Sequence, residues 1–209
     1  NTIVVEADPD YDARMLEGLV VPPGKFSVRA VQRVGRRWVE KTGEMPEGVE
    51  LRTGEDPLDR DDTYVWSESR RRLESFLKGV EMPSGDLAVY ATGGGWRSVT
   101  LGRTMATDED LRSVEIRRVR TGAPFVAVEL DPEVRADFRE SAAPRGARYA
   151  AVLDGEVVSM MKPRAMSEHL LHVPPPEYLS GFESLMDWAR QVAGRLAARI
   201  PVTMVPLDE

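Results

Sequence analysis

The sequence predicts an α+β fold in which both chain ends share one sheet and the middle of the chain forms an inserted lobe. Three observations carry this reading. Short apolar runs lie near both ends, at Asn1–Ala7, Lys25–Val34 and Val202–Val205. Phe182, Leu185, Met186, Ala189, Val192, Ala193 and Leu196 recur at the three- and four-residue spacing of a helix that buries one face. Between them, Phe125 to Met161 reads as strand, helix and hairpin.

The elements follow in order. Asn1–Ala7 is an expected strand, followed by a short helix around Ala13–Leu19. In Lys25–Val34, Phe26, Val28 and Ala30 alternate with Ser27, Arg29 and Val31, the pattern of a half-buried strand. Arg36 to Asp62 is polar and carries proline and glycine, and its acidic run at 54–62 is expected as a solvated loop. Glu68–Lys78 places Leu73, Phe76 and Leu77 on one helical face, with Gly79 as the stop. Asp86–Ala91 and Ser98–Leu101 are expected strands joined through Thr92-Gly93-Gly94-Gly95.

Phe125–Leu130 is apolar and β-branched enough for a strand. Asp131-Pro132-Glu133 then supplies an N-cap, a proline at the first helical position and an acid in the first turn. Val134 and Phe138 share a face four residues apart, and Pro144 with Gly146 ends the helix. Tyr149–Leu153 and Glu156–Met160 are strands separated by Asp154-Gly155, a pair that accepts the positive φ angles of a type I′ turn. Pro174-Pro175-Pro176 is a stiff connector. Ser180-Gly181-Phe182-Glu183 fits a capping box at the start of the last helix, and Pro201 ends it.

The composition limits function broadly. A net charge of −7 argues against neutralising a nucleic-acid backbone and against a broad basic face for anionic lipid. With no cysteine, thiol catalysis, disulfides and cysteine-based zinc sites are excluded. The longest apolar runs fall far short of the ~20 residues that cross a bilayer. The first residue is Asn, which suggests a trimmed N-terminus.

Each candidate site has a plainer explanation that wins. Glu168, His169 and His172 lie within five residues, but on a strand the two histidines point to opposite faces. The acidic run at 54–62 lacks the calcium-loop pattern. Gly93-Gly94-Gly95 is not followed by Gly-Lys-Ser/Thr, so it reads as a hairpin loop and not a phosphate cradle. Met160-Met161 offers either an adaptable apolar contact or a strand continuing into the core. No serine sits in a nucleophile elbow. The expectation is therefore no catalytic residue, no cofactor and no metal, with an enzyme as the least favoured class.

Several of these segments, taken in order, resemble the first large periplasmic domain of the SecD family of Sec protein-export subunits. That family shows a strand of the type VxxxL[DN], a helix, a basic-Gly run and a strand ending LDGxVxS. The counterparts are Val126–Asp131, Arg145-Gly146-Ala147-Arg148-Tyr149 and Leu153-Asp154-Gly155-Glu156-Val157-Val158-Ser159. Met105 to Leu111 resembles the family's L-T-G-E-D-L turn, with Thr107 and Asp110 placed as a capping box. Gly24–Ala30 resembles its L-E-F-R-L strand, and Leu196–Val205 its closing helix end and P-V-x-V strand. The match is poor from Arg33 to Ser98, and the family's Gly-Gly turn after the hairpin is missing.

The resemblance implies a ferredoxin-like base lobe from residues 1–35 and 175–209, with an α+β head lobe at 36–174 inserted into it. It implies hinges near Val34–Val39 and Pro174. Two functions follow as expectations. One is a non-catalytic, monomeric, extracytoplasmic domain that binds translocating or unfolded polypeptide, or other Sec components, in support of export. The other is a stand-alone secreted or lipid-anchored module that reuses the fold for a different binding task. The family's proton-carrying residues lie in its membrane part, so none transfers here, and no partner-binding residue is singled out.

Overall fold

The computed structural model describes residues 24–33, 44–54, 63–80, 85–141, 148–162 and 170–197. The ten strands among them are β1 (Phe26–Gln32), β2 (Glu50–Thr53), β3 (Thr63–Ser67), β4 (Asp86–Thr92), β5 (Gly95–Thr107), β6 (Leu111–Arg118), β7 (Pro124–Leu130), β8 (Arg148–Leu153), β9 (Glu156–Met161) and β10 (Leu170–Val173). The helices are α1 (Arg70–Leu77), α2 (Pro132–Ser141) and α3 (Phe182–Ala197), with one 3-10 turn at Asp108–Asp110. Mixed strands and helices of this kind make an α+β fold dominated by antiparallel sheet.

Seven strands form one curled sheet in the order β2-β3-β5-β1-β8-β9, with β4 on the other side of β5. The 13-residue β5 makes this possible, because its two halves serve different partners. Gly95–Leu101 pairs with β4, while Thr100–Thr107 pairs with β1. Register shifts on either side of Arg29 let β1 follow the bend of β5. The Arg29 guanidinium bridges the irregularity, donating to the Gly102 carbonyl at 2.7 Å and to the Asp86 carboxylate at 2.6 Å. A smaller sheet, β10-β7-β6, lies apart.

The main core sits between these layers. Phe26, Val28, Tyr149, Ala151 and Met161 of the large sheet meet Val126, Val128, Leu171 and Val173 of the small one, closed by Phe138 of α2 and Val192 and Leu196 of α3. Val134 packs against the same core, so the four-residue spacing in α2 works as expected. A second cluster sets Leu73 and Leu77 of α1 on Val49 and Val65. A third lines the other face of the curl with Tyr90, Val99, Leu101, Ala150, Val152 and Val157.

The turn chemistry also appears where it was expected. Asp154 and Gly155 take φ of 51° and 81°, both in the left-handed region that a two-residue I′ hairpin demands. Asp154 does more than turn the chain. Its carboxylate accepts from the Lys25 N–H at 2.7 Å and pairs with Arg195, joining the hairpin to β1 and α3. Gly85 (φ +80°) opens β4 so close to β5 that a Cβ would stand 2.5 Å from the Leu101 carbonyl oxygen. The Thr107 N–H donates to the Asp110 carboxylate at 2.7 Å, as the capping-box spacing predicts. Gly93 and Gly94 form the turn between β4 and β5.

Several expectations need correction. Residues 50–53 and 63–67 form β2 and β3, two strands that flank the acidic run and for which the sequence carries no strand expectation. β6 was also missed, because its sequence, LRSVEIRR, is half charged and mostly exposed. Phe182 heads α3 but is 50% exposed and lies under the Arg118 guanidinium, so it is not part of the buried stripe. The boundary at residue 35 lies outside the described residues. β1, assigned to the base, pairs along its length with β8 and β5, assigned to the head. α3 packs on β6 and β7 in the same way. The strands at Asn1–Ala7 and Val202–Val205, the helix at Ala13–Leu19, and with them the ferredoxin-like base expected from both chain ends, lie outside the described residues.

Candidate functional site

The curl of the large sheet brings two of its outer strands, β4 and β9, together. Cα atoms of β4 and β9 approach within 8 Å, yet no ladder joins the two strands. Along this seam runs a groove made of two adjoining hollows, one of about 130 Å³ and one of about 320 Å³. Arg70, Val89 and Glu156 line both. The first is walled by Tyr90, Trp96, Val157, Tyr178 and Trp188. The second runs on under α1, past Leu77, Lys78, Leu87 and Ala88.

Each wall has a local cause. Ser69 caps α1, its hydroxyl accepting from the Arg72 N–H at 3.4 Å, and Leu73 and Leu77 bury one face of the helix. That orientation turns Arg70 and Glu74 toward the seam. On the far side, the Ser159 hydroxyl donates to the Pro174 carbonyl at 2.6 Å. This bond holds the segment after β10 against β9 and brings Tyr178 to the groove.

Arg70 spans the mouth of the groove. Its guanidinium donates to Glu74 at 2.7 Å and to Glu156 at 2.6 Å, and lies 5.1 Å from the Trp96 ring centroid. The hydrogen bonds to Glu74 and Glu156 hold its proton more firmly than usual. Because these side chains keep 39–57% of their exposure, the bridge is a weak one, worth at most about 1 kcal/mol.

Tyr90 is the most perturbed group in the groove. Burial, then the charge of Glu177, pushes its phenol up to about 12. Ionisation is thereby opposed in the folded state and permitted near pH 10 in the unfolded chain. Stability is therefore expected to fall as pH rises from 10 to about 12, by roughly 2–3 kcal/mol for a shift of this size. Urea titrations across that range will show the decline in the wild-type chain and its loss in Tyr90→Phe.

The sequence-derived candidates lie elsewhere. His172, on β10, is half-buried with its ring 4.6 Å from that of Phe125. Burial, then the charge of Arg117, lowers its proton affinity. Glu168, His169 and most of the acidic run at 54–62 lie outside the described residues. Among the described residues, no three His, Asp or Glu side chains are grouped to hold a metal. Met161 is buried in the core, and Met160 packs on the inner face of the curl. No motif pointed to Arg70, Trp96, Glu156 or Tyr178. They come from four separate stretches, and only the closing of the sheet brings them together.

No family model and no curated protein matches the chain. Among solved structures, it is similar to that of SecDF, a membrane component that enhances protein export. Identity is 17% and the TM-score 0.43, over 94% of this chain and 72% of that one. It is also similar to the crystal structure of SecDF in the super-membrane-facing form, at 18% identity and a TM-score of 0.37, over 84% of this chain. The chain spans 28% of the length of that second protein. No helix among the described residues is long and apolar enough to cross a membrane.

Proposed function

We propose that this chain is a SecD-like extracytoplasmic domain that supports Sec-dependent export by binding unfolded polypeptide in the β4–β9 groove, without catalysing a reaction. The observation that carries the reading is the groove itself. Aromatic and aliphatic walls stand beside two strand edges with no ladder between them, a combination suited to an extended chain. The ordered SecD-like motifs agree with it. The helix after Asp131, the Asp154-Gly155 hairpin and the Thr107–Asp110 turn all adopt the local structures their sequences call for.

The test uses a photo-reactive phenylalanine analogue at Val158, which lines the groove. Irradiation with a reduced, carboxymethylated and permanently unfolded carrier protein is expected to give a cross-linked adduct. The same analogue at exposed Glu133, on α2, is expected to give little. Equal labelling at the two positions removes the case for the groove. In cells, loss of the gene is expected to slow export of a secreted reporter.

A second reading keeps the groove but changes the task. Arg70, Val89 and Trp96 fall in the stretch from Arg33 to Ser98, where the resemblance is weakest. A stand-alone secreted or lipid-anchored binding module would rebuild its ligand site in such a stretch. Unchanged export in the gene deletion, together with cross-linking at Val158, selects this second reading.

A further inference from the structure

Every pairing along β4, β5, β1, β8 and β9 is antiparallel, so strand direction alternates along the path. β4 and β9, at its two ends, consequently point the same way. Neighbouring strands in a ladder lie about 4.8 Å apart, and these two form no ladder. One further strand running the opposite way would be antiparallel to both edges and would close the curl with its alternation unbroken. Such a strand needs about 9.6 Å between β4 and β9, twice the ordinary spacing. That is wider than the 8 Å within which Cα atoms of the two strands now lie, so the seam has to open to admit it. Across the seam run the exposed Arg70–Glu156 ion pair, which resists such a movement only weakly, and the apolar packing of Ala88 and Tyr90 with Val157 and Met160, which the inserted strand has to replace with its own side chains.

We propose that an extended polypeptide segment binds as this missing strand, hydrogen-bonded to β4 on one side and β9 on the other. The proposal rests on the reading of the groove as a polypeptide site and adds the mode of binding and the class of segment taken. The charge of the groove points to the occupant. Arg70 and Lys78 are balanced by Glu74 and Glu156, a neutral mouth in a chain of net charge −7, which suits an uncharged segment and repels a polyanion. Strand edges with no ladder between them among the described residues present N–H and C=O groups complementary to another peptide backbone.

The side chains of the groove set the sequence of the ligand. One face of the slot presents Ala88, Tyr90 and Val157, which belong to the apolar cluster inside the curl. The other presents Val89 and Trp96 from the α1 side and Val158 from the main core side. A strand between them meets apolar surface on both faces. The preferred ligand is thus a continuous apolar run of about six residues, the pattern of a strand buried on both faces. An alternating polar and apolar segment would leave polar groups in the slot without partners. β4 has seven residues and β9 six, which sets that length.

The test uses the whole chain and a soluble peptide with a six-residue Val/Ile core flanked by lysines. Two variants of the peptide carry N-methyl groups, on the odd core residues in one and on the even residues in the other. In a strand between two edges, alternate residues bond to opposite neighbours. Both variants are therefore expected to bind at least tenfold more weakly than the parent, and a proline at the centre of the core to do likewise. Backbone amides of β4 and β9 are expected to gain protection from hydrogen exchange when the parent peptide binds. If both methylated peptides bind as tightly as the parent while the Val158 cross-link persists, strand insertion is wrong and the groove remains a polypeptide site. If only one methylated set weakens binding, the ligand bonds to a single edge and the closed arrangement is overturned. Absence of both peptide binding and cross-linking removes the function proposed above as well. A folded double variant, Val89→Cys with Val158→Cys joined by a short bis-maleimide, is expected to bind no peptide until the link is omitted. Undiminished binding by the linked protein overturns insertion.

Discussion

Truncating Phe138 to alanine is expected to destabilise the protein by about 3–5 kcal/mol, the range for losing a large aromatic side chain from a packed core. Phe138 is 2% exposed and sits edge-to-face on Tyr149 with ring centroids 5.2 Å apart. It is the side chain through which α2 closes the main core, wedged among strands of both sheets. Removing it costs the transfer energy of the ring, the aromatic pair and a cavity that the surrounding strands cannot close by sliding. Urea unfolding followed by circular dichroism will measure the loss. A change below about 1 kcal/mol would mean that α2 does not pack on the sheets as described. The groove is built from other elements, so peptide binding by the folded fraction is expected to persist.

Leu73→Ala is expected to cost about 2–5 kcal/mol and, unlike the first change, to weaken the groove. Leu73 is fully buried and, with Leu77, anchors α1 on Val49 and Val65. α1 carries Arg70 and Glu74, two members of the charged bridge at the mouth of the seam. Loosening the helix is thus expected to lower both the unfolding midpoint and the yield of the Val158 cross-link at a temperature where the variant remains folded. Comparison with Phe138→Ala separates the two effects. Equal cross-linking by the two variants at matched folded fraction would show that α1 is not needed to hold the binding surface.

What could be read from the sequence was set by residues whose neighbours in the chain are also their neighbours in space. The Asp154-Gly155 turn, the Thr107–Asp110 cap, the Asp131-Pro132 entry into α2 and the Leu73/Leu77 face depend on contacts within a few residues. β6 escaped because an exposed edge strand can carry charge at most positions and lacks a clear apolar alternation. β2 escaped because four residues amid polar and acidic neighbours give no periodic signal. The neighbours of β1 in the sheet are illegible for a related reason. A strand's own pattern says which face is buried and says nothing about which strands lie beside it.

The sequence by itself determined an α+β composition, a family resemblance and the positions of the turns. It did so because turn dihedrals, helix caps and amphipathic periodicity are local demands. The tertiary structure alone decided that β5 would serve two partners, that β4 and β9 would meet across an open seam, and that Arg70 would face Glu156 there. These depend on how far a sheet bends and where its edges stop. Both are fixed by pairing between distant segments, which no short window of residues encodes.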